Sequence, residues 1–189
     1  MQTEVGDLLN TTISANTVPD LTQVKRDLNT AKDIAFNRLL SLGQDYNVRL
    51  AKADIVADQE LYGLPTDLRK IVRLELGYDN STDRYKADRI DSNAPNDPVD
   101  TVYLESDPKY MVRGDNLEIN PTPDSAVTDG LWLWYIEDLA DMSADTDVSG
   151  LPIDYDYLLT LYAAAKGSYT LGLHQEGNNF LSQFRLGLD

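Results

Sequence analysis

Apolar residues recur at every third or fourth position near the start of the chain, which is the spacing of a helix with one buried face. This pattern predicts a helix from Leu21 to about Leu42, with Asp20 as its N-cap and Gly43 as its stop. A shorter helix is expected at Thr3–Leu9. Four charged residues of the longer helix lie off its apolar stripe: Lys25, Arg26, Asp27 and Lys32.

Helical spacing returns near the end of the chain. Pro152 suits a first helical turn, and the residues from Tyr155 to Lys166 form an amphipathic pattern that ends near Gly167. A last helix is expected around Phe180 and Phe184. Between these two helices, the glycines and asparagines indicate a flexible hinge.

The middle of the chain, from about residue 47 to 135, has strand composition and dense turn residues. A hairpin is expected around Gly114-Asp115-Asn116, and Leu131–Ile136 is a strongly apolar strand. The segment from Asn80 to Asp100 is rich in Asp, Asn and Pro, which favours a long exposed loop. Other expected strands are Ile71–Leu76, Thr101–Leu104 and Tyr110–Arg113.

This order of helix, strands and helix predicts an α+β fold. We expect the N- and C-terminal helices to form a helical bundle, with a small antiparallel β subdomain inserted between them. The expected divisions are N-terminal helices at 1–46, a β-rich subdomain with acidic loops at 47–147, and C-terminal helices with a tail at 148–189.

Composition excludes several kinds of chemistry. The chain has 189 residues, no cysteine and one histidine, so thiolate sites and His-paired metal sites are excluded. Its net charge is -16, and residues 74–147 carry 18 acidic but 5 basic side chains. Such a surface repels phosphate backbones. No apolar run approaches the ~20 residues of a membrane span, so we expect no membrane association.

The sequence contains no phosphate-binding loop, dinucleotide fingerprint or nucleophile elbow. His174 lies in a polar stretch typical of an exposed loop or helix start. Asp145, Asp147, Gly150 and Asp156 imitate an EF-hand loop, but Pro152 and the missing twelfth-position Glu favour a polar turn. We therefore expect no enzyme activity, no cofactor and no bound metal.

Trp132 and Trp134 share one face of the apolar strand. A buried β core is the favoured interpretation. The alternative is a sugar-stacking platform in a carbohydrate-binding or carboxylate-dependent hydrolase domain.

Several segments in succession resemble the head-to-tail adaptor, or connector, proteins of tailed bacteriophages. Tyr62, Leu64, Pro65 and Asp67 fit their Tyr-x-Leu-Pro-x-Asp-like segment. The hairpin with its Pro-x-Pro exit, the Leu-Trp-Leu-Trp-Tyr strand and the closing helix then follow in the same order. The resemblance covers roughly residues 21 to 184.

The resemblance implies a non-enzymatic virion protein at the neck between head and tail, assembled in the host cytoplasm. It would form a homo-oligomeric ring of about twelve subunits that binds the portal protein and a downstream tail or neck protein. Genomic DNA would pass through the ring without specific binding. A tail-terminator or stopper subunit is the nearest alternative.

Two sets of residues are candidates for these roles. The C-terminal residues Phe180, Leu181, Phe184, Arg185 and Leu186 either fold back onto the helices of their own chain or dock to the portal or to a neighbouring subunit. Docking is the favoured interpretation, because aromatic and Arg side chains are common interface anchors and the adaptors that this chain resembles engage the portal with their C-terminal segment. An acidic face that borders the channel or the solvent is expected at Asp79, Asp83, Asp88 and Asp91.

Overall fold

The computed structural model describes residues 1–43, 45–79, 83–90 and 103–188. The chain divides into two compact units. The helical unit combines Met1–Gln44 with Leu139–Asp189, and the sheet unit is Asp45–Asp138. The chain therefore leaves the helical unit once and returns to it once.

The described residues of the helical unit form four α-helices, with a short 3-10 turn, Ile153–Tyr155, before the third. Their bounds are α1 Gln2–Leu8, α2 Leu21–Ser41, α3 Asp156–Thr170 and α4 His174–Leu188. No helix in the described ranges has both the length and the apolar character to cross a membrane.

Local signals define the ends of α2. The Asp20 carboxylate accepts a hydrogen bond of 2.7 Å from the Gln23 backbone N–H, which satisfies one free donor of the first turn. After the helix, Gly43 has a φ of 75°, a left-handed conformation that glycine adopts without steric cost. The expected bounds of this helix are confirmed.

The central helix of the helical unit is α3, which packs against α1, α2 and α4. Its small residues Ala163, Ala164 and Ala165 are fully buried and allow the neighbouring helices to approach closely. The apolar stripe of α2, including Val24, Leu28 and Leu39, is buried in the same unit.

Two side chains of α2 bind the chain where it re-enters the helical unit. The Lys32 Nζ donates to the carbonyl oxygens of Leu139 and Ala140, at 2.9 and 3.1 Å, and to the Asp141 carboxylate at 2.8 Å. The Asn29 amide both accepts from the Met142 N–H and donates to its carbonyl. Segment 139–142 thus has backbone partners although it belongs to no helix or strand.

Two charged residues off the apolar stripe of α2 are nevertheless buried. Lys32 is 1% exposed, and its three oxygen partners satisfy the ammonium that burial would otherwise destabilise. Asp27 is also buried, and desolvation raises the pKa of its carboxyl against the opposing effects of Arg26 and Lys166. Helical spacing alone does not reveal the burial of these side chains, because their burial depends on which distant segment packs against that side of α2.

The described residues of the sheet unit form seven strands. Their bounds are β1 Val48–Ile55, β2 Leu61–Gly63, β3 Leu68–Leu76, β4 Tyr85–Arg89, β5 Lys109–Arg113, β6 Asn116–Asn120 and β7 Val127–Glu137. The strand order is β1-β7-β3-β4-β5-β6-β2. The β4–β5 pair is parallel and the other pairs are antiparallel, so the sheet is mixed.

The longest strand, β7, pairs with β1 on one side and β3 on the other. Leu131, Leu133 and Tyr135 alternate along it and point into the core of the sheet unit.

Tyr62 lies in the same core, and its hydroxyl accepts a hydrogen bond of 3.1 Å from the Val56 backbone N–H. The Asp67 carboxylate accepts from the Tyr135 hydroxyl at 3.2 Å. Tyr62 and Asp67, which fit the adaptor-like segment, are therefore structural residues.

The expected helical bundle with a small inserted antiparallel β subdomain is wrong. In the part of the chain that the structure describes, there are four helices at the chain ends and a curled, mixed sheet of seven strands. The sheet is larger than expected partly because β1, which is not among the expected strands, pairs with β7 between Val127 and Ile136. It is mixed because β4 lies parallel to β5.

Part of the segment expected to be a loop is a strand, since β4 lies within residues 80–100. Most of the rest of that loop, and the first half of the expected strand Thr101–Leu104, lie outside the described residues. The hairpin around Gly114 is confirmed as β5 and β6.

Replacement of Lys32 by Met is expected to lower the free energy of unfolding by about 2 kcal/mol, because the re-entering carbonyl oxygens lose their donor. Chemical denaturation measures the loss. The control is Asp141→Ala, which should cost less than about 1 kcal/mol because that side chain is 78% exposed. Equal losses in the two variants would mean that the ion pair, not the binding of the carbonyl oxygens, stabilises this segment.

Candidate assembly surfaces

The residues that imitate a calcium loop bind donors of the helical unit itself. The Asp145 carboxylate accepts from the Gln2 backbone N–H at 2.7 Å and from the Thr3 hydroxyl at 3.0 Å. Asp147 accepts from the backbone N–H groups of Ser143 and Ala144. In the residues that the structure describes, no group of three or more acidic, His or Cys side chains is arranged to hold a metal ion.

Hydrogen bonding governs the ionisation of these two carboxylates. The Thr3 hydroxyl, with the backbone N–H groups of Gln2 and Thr3 and the N-terminal amino group, holds the pKa of Asp145 below its usual value. The Ala144 and Ser143 N–H groups lower the pKa of Asp147 in the same way. Through these hydrogen bonds, Asp145 connects the segment before α3 with the first turn of α1.

His174 begins α4 and is exposed, as expected of a helix-start residue. Its ring centroid lies 6.1 Å from that of Tyr169.

The two tryptophans of β7 are not in the core, so the favoured interpretation of them is wrong. Trp132 and Trp134 share a face, as expected, but it is the face opposite Leu131 and Leu133, and both tryptophans are half-buried there. The Nζ of Lys52 and the guanidinium of Arg84 each lie 4.2 Å from the Trp132 ring centroid. Arg73 lies 5.2 Å from that of Trp134. These cations occupy positions that a stacked sugar would need.

The candidate acidic face has three members in the described residues, and all three are exposed: Asp79, Asp83 and Asp88. Asp88 lies 3.4 Å from the Nζ of Lys86 and of Lys109, which together hold the pKa of its carboxyl below the usual value. Asp91 lies outside the described residues.

The five C-terminal candidates all lie on α4 but face different ways. Phe184 is buried, and its ring centroid lies 5.0 Å from that of Tyr162 on α3. Phe180 and Leu181 are half-buried, whereas Arg185 and Leu186 are exposed. Of the five candidates, Arg185 and Leu186 therefore have the most exposed side chains.

The expected hinge before these residues is wrong. Helix α4 already begins at His174, so Gly177 and the asparagines after it are helical. A Cβ at Gly177 would lie 2.7 Å from the Tyr169 ring, so glycine here permits close packing of α4 on α3.

An apolar groove that the sequence did not predict lies between α1 and the start of α3. Its volume is about 580 Å³, and its lining residues are Glu4, Asp7, Leu8, Ile153, Asp156, Tyr157 and Thr160. Ile153 is 82% exposed and Tyr157 is 59% exposed. Their signal in the sequence is an apolar pair four residues apart at a helix start, which by itself looks like part of a core stripe.

Comparison with protein families gives one finding. The model of a family described as SU10 adaptor protein matches residues 1–189, the whole chain. No curated protein matches the chain.

Replacement of Asp145 by Asn is expected to loosen α1, because the carboxylate accepts hydrogen bonds from its first turn. The loss at pH 7 should not exceed about 1 kcal/mol, the usual value for a helix cap on an exposed side chain. Since the folded-state pKa is lowered, the native chain holds this stabilisation above about pH 4 and loses it as the pH falls further. Hydrogen exchange of residues 2–8 measures both effects.

The control for this experiment is Asp154→Asn, an exposed carboxylate in the same region. It should leave exchange in α1 unchanged. Unaltered α1 exchange in Asp145→Asn would contradict the assigned role.

Proposed function

The chain belongs to the SU10 adaptor protein family, and we propose that it forms the ring that joins the portal of a phage head to the tail. Membership makes it a phage adaptor with a structural role in the virion. The proposal adds a ring of about twelve copies, contact with the portal and with a downstream tail or neck protein, and a channel for the genome. The observation that carries it is the match over the whole chain.

A ring of identical subunits needs heterologous interfaces, in which one patch meets a different patch on the neighbour. The helical unit offers two such patches, the apolar groove and the exposed end of α4. The net charge of -16 opposes ring closure by isolated subunits, so the portal serves as the template for assembly.

The acidic residues support passage of DNA without adhesion. Exposed carboxylates such as Asp79 and Asp83 repel the phosphate backbone, so genomic DNA moves past them without binding. The position of this face at the channel is part of the proposal. Nothing in this role requires catalysis or a cofactor.

The docking role of α4 is tested with substitutions at exposed positions rather than by deletion, because deletion would also remove buried Phe184. Arg185→Glu combined with Leu186→Ser should leave the fold intact and reduce attachment to purified portal by tenfold or more, because the α4 end either contacts the portal directly or joins neighbouring copies that bind the portal together. Gln183→Ala, an exposed change on the same turn, is the control. Co-sedimentation with portal measures attachment, and electron microscopy of the complex shows whether a ring forms.

Unchanged attachment of the Arg185/Leu186 variant would remove α4 from the docking surface. Failure of the native chain to bind portal or to form a ring on it would contradict the proposed function as a whole.

The acidic face is tested by reversing its charge. Asp79→Lys with Asp83→Lys should slow DNA ejection from otherwise normal particles, because basic groups bind the phosphate backbone. Asp88 is left unchanged so that its contacts with Lys86 and Lys109 are kept. The matched control, Asp79→Asn with Asp83→Asn, removes charge without adding cations. Native ejection kinetics in the Lys variant would assign these carboxylates to solubility.

A further inference from the structure

The groove between α1 and α3 exposes more apolar surface than an isolated subunit should. Ile153 and Tyr157 lie one helical turn apart on its wall, and both are mostly exposed. Leu8 contributes to the opposite wall from α1. Exposed apolar residues gathered in a concave surface, rather than scattered singly, are typical of an interaction site.

Charge restricts what this groove accepts. Three carboxylates line it, those of Glu4, Asp7 and Asp156, and no Lys or Arg is among its lining residues. The remaining lining residues are apolar or neutral. A complementary partner therefore presents a large apolar side chain next to a cation.

The end of α4 presents that combination. Leu186 is 72% exposed, and Arg185 beside it is also exposed. Phe184 points into the helical unit, and two residues along a helix correspond to a rotation of about 200°. Leu186 therefore lies on the outward side of α4, away from α3.

The groove and the end of α4 lie on opposite sides of α3. Leu9, which directly follows α1, packs against Gly167, whereas α4 packs against Leu158 and Tyr169. Gly167 is nine residues from Leu158 and two from Tyr169, and both spacings place it about half a turn away around the helix. Patches on opposite sides of one subunit suit a head-to-tail contact, because each copy can give one patch and receive the other.

We propose that the exposed end of α4 docks into the α1–α3 groove of a second copy of this chain. Leu186 inserts between Ile153 and Tyr157, and Arg185 faces the carboxylates at the rim. This inference rests on the proposed ring and names its subunit contact.

The absence of cysteine from the sequence allows a direct test. A variant with Leu186→Cys and Ile153→Cys is bound to portal and oxidised, and the products are separated without reductant. Head-to-tail contact predicts a ladder of covalent oligomers, whereas either single variant gives dimers at most. The control pairs Leu186→Cys with Leu104→Cys, a residue of similar exposure in the sheet unit, and should give no ladder.

Each outcome separates the contact from the proposed function. No ladder from a variant that still forms rings on the portal would overturn the groove contact and leave the ring intact. A disulfide-linked portal adduct after a cysteine is placed in the facing portal surface would make the portal the occupant and overturn the contact between copies. A ladder without portal binding would support the contact and contradict the adaptor role.

Exchanging the charges across the proposed contact tests it a second time, in the variant that carries both cysteines. Arg185→Glu and Asp7→Lys should each reduce the yield of the ladder by roughly fivefold, as expected for an exposed ion pair. The two changes together should restore it. Losses that simply add in the double variant would contradict pairing of Arg185 with the groove carboxylates.

Discussion

The burial of the Lys32 ammonium is the interaction on which the helical unit depends most directly. This unit is built from two stretches of chain separated by the whole sheet unit, and a specific polar contact adds to the packing of α3 on α1 and α2 where the second stretch begins. Lys32 does so through two backbone carbonyl oxygens and a carboxylate, and Asn29 adds a paired amide contact one turn away. Without these oxygens, a buried ammonium would destabilise α2. Burial of Lys32 therefore requires the returning chain to lie in its correct position, and the returning chain in turn uses Lys32 as its donor.

Within the sheet unit, β7 has the corresponding role. It lies between β1 and β3, and its alternating side chains separate two environments. Leu131 and Leu133 fill the core, whereas Trp132 and Trp134 lie on the other face against Lys52, Arg73 and Arg84. The tryptophan rings thus make cation–π contacts with side chains of neighbouring segments. These contacts do not require the cations to be buried.

The surface combines repulsion with a few specific contacts. A net charge of -16 makes copies repel one another and repels phosphate backbones, which agrees with the proposed assembly on a portal around DNA. The apolar groove has an acidic rim, and the exposed Arg185-Leu186 pair offers both a cation and an apolar side chain. This complementarity makes the proposed contact between them specific. Both features lie in the helical unit, and the proposed assembly uses both of them.

The sequence by itself determined the features that depend on neighbouring residues. Helical spacing, the Asp20 cap and Gly43 defined α2, and the turn at Gly114 defined the hairpin, because these signals act within a few residues. The succession of segments also indicated the adaptor family that the whole-chain match shows. For the candidate surfaces, the sequence pattern included the exposed residues Arg185 and Leu186 but did not distinguish them from the buried Phe184. It did not indicate the groove residues Ile153 and Tyr157. Tertiary structure alone decided the pairing of β1 with β7, the parallel β4–β5 pair, the burial of Lys32 and the face of the tryptophans. Each of these depends on segments that lie far apart in the chain and meet only on folding, so no local pattern encodes them.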